Sequence, residues 1–256
     1  SSSFNRIIKT TGIFGSSQVV NILMGVIRIK AIAVLLGTAG VGIIGIYQSV
    51  IDLIRAFSGL GLDMGSIREI AKDNSNDDKS KVLHTISVFK RWFLATALIG
   101  AIACILGCIP LSLWAFDDIA HALPIAALSI VVFMIAITAG RSVVLHGLRR
   151  ISFMAKAAII ESIVGLLIII PIYYFWGVDG IIPVFIINSI LVFFCVNHYY
   201  RKLNIQTVVI SNREAFQAGM NTLYLGIFII LSSIISTTSM FIVRIYISRE
   251  MDIESV

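Results

Sequence analysis

Long apolar stretches, separated by short polar connections, run along almost the whole chain. If about 20 apolar residues suffice for a helix to cross the hydrocarbon core, the pattern predicts seven spans: residues 12–36, 41–71, 83–113, 119–148, 153–176, 180–200 and 214–248. Because hydrocarbon offers no hydrogen-bond partner, the backbone of each span must satisfy itself. Stretches this long without two-residue alternation favour helices over barrel strands. The predicted fold is an all-α, polytopic transmembrane helix bundle.

The composition supports a membrane protein. Of the 256 residues, 58% are hydrophobic and 13% are charged, whereas a typical soluble domain has about 25% charged residues. This balance excludes a soluble domain. The net charge of +6 raises the question of nucleic acid, but the basic residues are spread over several connections and form no patch with interleaved aromatics. We expect no nucleic-acid partner.

The distribution of basic residues predicts the orientation. Fourteen Lys and Arg residues fall in the N-terminal segment or beside the connections that follow spans 2, 4 and 6, and Arg249 alone lies on the other side. An excess of Lys and Arg marks the cytoplasmic side of a membrane protein. The sequence therefore predicts an inner-membrane protein with a cytoplasmic N-terminus and an exterior C-terminus.

The sequence has no pattern typical of an enzyme or a metal site. Its three cysteines lack the spacing and the His neighbours of metal ligands: Cys104, Cys108 and Cys195. The sequence also has no HExxH, P-loop, GxSxG or paired-carboxylate arrangement. We therefore predict a protein that is not an enzyme and that needs no metal or other cofactor.

Apart from charged residues beside the connections, eight lie inside the predicted spans, where each is costly unless it faces a partner or water: Arg28, Lys30, Asp52, Arg55, Asp63, Arg141, Glu161 and Arg244. At about 1.5 Å per residue, Arg28 lies about 12 Å from the outer end of span 1. Asp52 and Arg55 fall near the middle of span 2. Lys30 is shallower, and its side chain can extend to the interface.

Two interpretations of these charges remain open. In one, Arg28 or Arg55 forms an ion pair with Asp52 that joins spans 1 and 2 without any substrate. In the other, the basic residues line a water-filled cavity through which an anionic head group passes, and the five basic residues against three acidic ones favour it. Since a guanidinium suits phosphate, we predict phosphate contacts from Arg28, Arg55 and Arg141. Asp52 and Lys30 are assigned to ion pairing or coupling.

Two segments resemble a known family of transporters. Residues 35–71, LLGTAGVGIIGIYQSVIDLIRAFSGLGLDMGSIREIA, are similar to the span 1 to span 2 segment of bacterial O-antigen flippases. Residues 145–183, LHGLRRISFMAKAAIIESIVGLLIIIPIYYFWGVDGIIP, have that family's basic turn, glycine-bearing helix and WG-x-x-GI-x-P exit. These flippases belong to the polysaccharide transporter branch of the MOP superfamily.

The resemblance implies a MOP/MATE-like fold with two helical lobes around a central cationic cavity. Alternating access of the lobes would flip a polyprenyl-pyrophosphate-linked oligosaccharide from the cytoplasmic to the periplasmic leaflet. Residues 1–204 would form an N-terminal lobe of six helices, and residues 205–256 the first helix of a second lobe, within which the sequence ends.

The resemblance also implies roles for individual residues. Arg28, Arg55 and Arg244 would neutralise the pyrophosphate, and Tyr47 and Gln48 would either meet the sugar or serve helix packing. The implied partners are the lipid-linked oligosaccharide, membrane lipid, and polysaccharide polymerase or ligase proteins.

Three other functions remain open. A multidrug or cation extruder of the same superfamily would share the bundle but should have an acidic cavity. A membrane enzyme acting on polyprenyl phosphate needs carboxylates or His gathered at one membrane face, whereas Asp52, Asp63 and Glu161 lie at different depths. The third is a fragment or assembly partner without activity of its own.

Overall fold

The structure, a computed structural model, describes residues 2–59, 61–76, 78–206, 208 and 210–250. Regular secondary structure in these ranges is helical: α1 Ser2–Ser58, α2 Leu62–Ser75, α3 Lys79–Leu106, α4 Cys108–Phe116, α5 Ala122–Gly147, α6 Ile151–Trp176, α7 Ile181–Arg201 and α8 Asn212–Glu250, with 3-10 turns at Ile119–His121 and Gly177–Gly180. Four segments are long and apolar enough to cross a membrane: Gln18–Ser58, Lys79–Leu106, Ile119–Gly147 and Ile151–Arg201. The predicted all-α transmembrane bundle is confirmed.

Helix α1 contains the first predicted span and the first part of the second, residues 41–58. It is interrupted at Gly37, whose φ of 70° and ψ of −175° lie in a region that is essentially restricted to glycine. A straight helix would hold Arg28 and Arg55 about 40 Å apart, yet both line one cavity. The chain therefore turns back at Gly37 and forms a first arm, residues 2–36, and a second arm, residues 38–58.

Two predicted spans are divided at glycines. The span predicted over residues 41–71 breaks after Ser58, where the Gly59 amide bonds to the Arg55 carbonyl and Gly61 adopts a left-handed φ of 59°. Helix α2 then starts at Leu62. The span predicted over residues 83–113 is divided at Gly107 into α3 and α4. Hydropathy alone misses such breaks because glycine does not lower it much.

Two clusters of buried side chains lie toward opposite ends of the bundle. One joins the second arm of α1 to α4, α8, the start of α5, the end of α6 and the start of α7. The other joins α2 and the start of α3 to the ends of α5 and α7. The second cluster therefore gathers the α2–α3, α5–α6 and α7–α8 connections at one end, which we call the basic end. Of the residues used for the charge count, the side chains of Arg6, Lys9 and Arg249 lie outside the described part.

The turn between α2 and α3 is held by two carboxylates. Asp78 caps α3 by accepting a 3.1 Å hydrogen bond from the Lys81 amide, as Asp commonly does at a helix start. That amide, together with the Lys81 ammonium 3.3 Å from the carboxylate, lowers the pKa of Asp78. The Thr85 hydroxyl donates a 2.7 Å hydrogen bond to Asp73 and ties α3 to α2.

Helix α8 packs on α1, α2 and α3. Near its start the Trp92 indole donates a 2.8 Å hydrogen bond to the Ala215 carbonyl and stacks on Phe216. In the preceding segment the Val208 amide donates to the Ser87 hydroxyl at 3.0 Å. These contacts fix the start of α8 to α3.

Candidate functional site

A cavity of about 580 Å³ lies between the two arms of α1 and helices α5, α6 and α7. We call it the central cavity. Among the described residues that line it, two are charged, Arg28 and Arg55, and both are cations. The polar lining also includes Gln48, Thr138, Ser142, Tyr173, Asn188 and Ser189. A largely aliphatic wall with a few convergent polar groups and a volume of about 300–1,000 Å³ is typical of a ligand site.

Arg28 faces an acid on another helix. Its Nη2 lies 3.7 Å from Oε1 of Glu161 on α6, and the two side chains are 28% and 23% exposed. This separation is that of an ion pair without a hydrogen bond. The sequence offered Asp52 as the partner of Arg28 or Arg55, but the described residues show Arg28 paired with Glu161 instead. Sequence identified Glu161 as a charge within a span, but not as the partner, because only the packing of α6 on α1 brings the two together.

A glycine on α6 makes room for the Arg28 guanidinium. A Cβ at Gly165 would lie 2.9 Å from Arg28 Nη2 and 3.2 Å from Asn188 Oδ1. The Asn188 Oδ1 atom is itself buried and has no hydrogen-bond partner in the part of the chain that the structure describes. Arg28, Gly165 and Asn188 thus form one polar corner of the central cavity. Neither Gly165 nor Asn188 stood out in the sequence, because a single Gly or Asn in a span has many packing roles.

Gln48 and Asp52 are bonded to each other on the second arm. The Gln48 Nε2 donates a 3.0 Å hydrogen bond to Asp52 Oδ1. Gln48 lines the central cavity, whereas Asp52 lines a neighbouring one. Asp52 therefore holds the amide of Gln48 in place, which leaves the Gln48 carbonyl oxygen for other contacts.

Arg55 lies between two cavities. The second cavity, of about 490 Å³, lies between the second arm, α2, α3, α5 and α8, and we call it the α8 cavity. Arg55 and Ala139 line both cavities. Asp52 and Asp63 also line the α8 cavity, together with the hydroxyl side chains of Ser58, Thr96, Ser236 and Thr237. The charge is therefore positive in the central cavity and mixed in the α8 cavity.

The family assignment agrees with this architecture. The family described as polysaccharide biosynthesis protein matches residues 7–256, nearly the whole chain. The chain belongs to the polysaccharide biosynthesis protein family. Members of this family are generally transporters rather than enzymes, and this member is a multi-pass membrane protein. No curated protein and no solved structure gives a significant match.

The remaining predicted site residues of this polysaccharide biosynthesis protein lie away from the central cavity. Tyr47 is buried, its hydroxyl 2.7 Å from His121 Nδ1 and its ring against Phe116. Arg244 on α8 donates hydrogen bonds to the Gly45 carbonyl and, at 2.6 Å, to the Ser49 hydroxyl of the second arm. These contacts join α8 to α1.

Lys30 and Arg141 occupy two further positions. Lys30 is exposed on the first arm. Arg141 lines a third cavity, between α3, α5 and α7. The structure thus brings Arg28, Arg55 and Gln48 together and separates Arg141 from them. Within the described ranges, no group of three or more His, Cys, Asp or Glu residues is placed to hold a metal ion.

Proposed function

We propose that this family member flips a polyprenyl-pyrophosphate-linked oligosaccharide, an O-antigen unit or a related glycan, from the cytoplasmic to the periplasmic leaflet of the bacterial inner membrane. One observation carries the proposal: Arg28 and Arg55, from opposite arms of α1, line the same membrane-embedded cavity, and they are the charged residues of its lining in the part of the chain that the structure describes. Two guanidinium forks in a low-dielectric cavity suit the two phosphates of a pyrophosphate.

The polar lining has separate tasks in this proposal. Arg28 and Arg55 neutralise the pyrophosphate, and the 3.7 Å separation between Arg28 Nη2 and Glu161 Oε1 is long enough for a phosphate oxygen to compete for the Arg28 N–H groups. Gln48 and Asn188 supply amide groups for sugar hydroxyls, while the polyprenyl tail stays in lipid. Flipping breaks no covalent bond, so the proposed protein is not an enzyme and needs no catalytic group.

The proposed cycle is alternating access between a lobe of residues 1–204 and a second lobe that starts within residues 205–256. The basic end is assigned to the cytoplasm, as is the N-terminus. Because Arg55 lines both the central and the α8 cavity, it is the residue along which a phosphate passes between them. Substrate contacts from Tyr47, Arg141 and Arg244, and partnership with polymerase or ligase proteins, stay predictions.

The test is made in cells that lack the complete gene and carry a wild-type or variant copy. The leaflet distribution of lipid-linked oligosaccharide is measured for wild type, Arg28→Ala, Arg55→Ala and Lys30→Ala. We expect both arginine variants to accumulate the lipid on the cytoplasmic face. The Lys30→Ala variant removes the same charge two residues from Arg28 but outside the cavity, and should keep most of the export.

Membrane levels of each variant separate transport from folding. Normal insertion of Arg28→Ala with lost export supports the flippase, whereas loss of the protein itself would point to a purely structural ion pair with Glu161. Equal export by all variants would refute the proposal that the arginines of the central cavity bind the substrate. An unchanged lipid pool in the deletion strain with altered drug susceptibility would favour an extruder, and a chemically altered lipid pool would favour an enzyme.

A further inference from the structure

The third cavity is basic and lies near the basic end of the bundle. It has a volume of about 360 Å³ and lies between α3, α5 and α7. Its lining within the described ranges has three charged residues, and all are cations: Lys90, Arg141 and Arg201. Asn197 and Tyr200 add hydrogen-bonding groups from α7. We call it the basic cavity.

The basic cavity lies on the opposite side of α5 from the central cavity. Thr138, Ala139 and Ser142 line the central cavity, whereas Gly140, Arg141 and Val144 line the basic cavity. Two large apolar side chains at the basic cavity are exposed: Leu94, which lines it, at 47%, and Phe194, three residues before Asn197 on α7, at 61%. Ile130, about 16 Å from Arg141 along α5, is 45% exposed. In a membrane protein, exposed apolar side chains of this kind face lipid. The basic cavity is therefore accessible from the lipid side of the bundle.

Arg141 lies within α5, and part of its guanidinium lacks a partner among the described residues. It lies about 9 Å along α5 from the last residue of that helix. Its Cζ lies 4.1 Å from the centroid of the Phe193 ring. The Nη1 atom is buried, and it has no hydrogen-bond partner in the part of the chain that the structure describes. Buried polar groups normally have partners, so the arrangement lacks an acceptor.

We propose that the basic cavity binds the phosphate of an anionic phospholipid. Arg141 donates hydrogen bonds to the phosphate, Lys90 and Arg201 add positive charge, and the Tyr200 hydroxyl donates a hydrogen bond to a phosphate oxygen. The acyl chains then lie along the exposed apolar faces of α3, α5 and α7. Basic recesses between helices at a membrane surface are suited to such head groups. This site holds a resident lipid and does not depend on the proposed transport.

The test is native mass spectrometry of the full-length protein in detergent with phosphatidylglycerol or phosphatidylcholine. We expect wild type to retain phosphatidylglycerol in preference to phosphatidylcholine. Losing one charge-assisted hydrogen bond should weaken retention by about tenfold in Arg141→Gln. Lys202→Gln is the matched control, because it removes a charge beside Arg201 while its side chain rests on Tyr199 instead of lining the cavity. Equal retention by wild type and both variants would overturn the proposal.

Two further measurements distinguish lipid binding from misfolding and from binding of the free anion. If Arg141→Gln does not fold, Lys90→Gln tests the same cavity from α3, and unchanged retention there would count against the site. Inorganic phosphate is added to wild type in increasing amounts as a competitor. Displacement of phosphatidylglycerol by equimolar phosphate would show a site for the free anion and would overturn the lipid assignment. Retention under these conditions supports it.

Discussion

Replacing Gly165 by Ala should move Arg28 without removing any charge. The added Cβ would lie 2.9 Å from Arg28 Nη2, whereas ordinary contact begins at 3.4 Å. The guanidinium is the far end of a flexible side chain, so it should yield by at least about 0.5 Å while the backbone stays in place. The same Cβ would lie 3.2 Å from Asn188 Oδ1, so the Asn188 side chain must also yield by a few tenths of an ångström.

The displacement should weaken binding of a diphosphate. A hydrogen bond to a charged group contributes about 1.5–3 kcal/mol, and each 1.4 kcal/mol corresponds to about tenfold in affinity. Since Arg55 still contacts the ligand and Arg28 is displaced only in part, we expect the lower end of this range. The predicted loss for Gly165→Ala is about tenfold in affinity for polyprenyl pyrophosphate.

The assay is calorimetric titration of the purified full-length protein with polyprenyl pyrophosphate. Gly25→Ala is the matched control, because it adds the same methyl group to the first arm of α1 at a position with nothing within 4 Å. Thermal melting of both variants confirms that they fold. If Gly165→Ala binds as tightly as Gly25→Ala, the position of Arg28 does not matter and the reasoning is refuted.

Two other substitutions test the charges. Glu161→Gln removes the counter-charge of Arg28, and because the pair is partly exposed, we expect the free energy of unfolding to fall by about 1 kcal/mol. In the same titration, this variant should bind polyprenyl pyrophosphate more tightly than wild type. Weaker binding would contradict the assigned role of Arg28. Asp78→Ala removes the cap of α3. Folding lowers the pKa of Asp78 from its ordinary value of 3.8. The ionised carboxylate therefore stabilises the fold above pH 3.8, and this stabilisation is lost as the pH falls through the lowered pKa of the folded state. The melting temperature of Asp78→Ala should therefore be below that of wild type at neutral pH, and the difference should shrink in acid; a difference that persists unchanged in acid would show that the carboxylate charge is not involved.

The spans were predictable because every segment that crosses a bilayer must be long enough to match the thickness of its hydrocarbon core. Residues 153–176 and 180–200 were expected as spans, and the structure has helices at Ile151–Trp176 and Ile181–Arg201. The break at Gly37 also fell in a predicted connection. The division near Gly61 was missed, because a left-handed residue changes the chain direction without changing the hydropathy.

The candidate site was predictable only in part. Arg28 and Arg55 were predicted because a charged side chain in hydrocarbon is costly unless it faces a partner or water. Gln48 was predicted only from the resemblance to O-antigen flippases. The grouping of these three residues in one cavity depends on the reversal of α1, and sequence alone offered no way to separate Arg141 from them. Arg141 lies on the opposite side of α5, and that side is defined only when α3 and α7 pack against it.

The sequence by itself determined the helical membrane class of this protein and the gathering of basic connections at one end, because both follow from the local cost of placing polar groups in lipid. The tertiary structure decided which charges meet. Arg28 faces Glu161 instead of Asp52 because α6 packs on the first arm of α1, and Gly165 leaves space for the guanidinium there. Pairing between distant helices depends on the packing of their surfaces, which no single segment specifies.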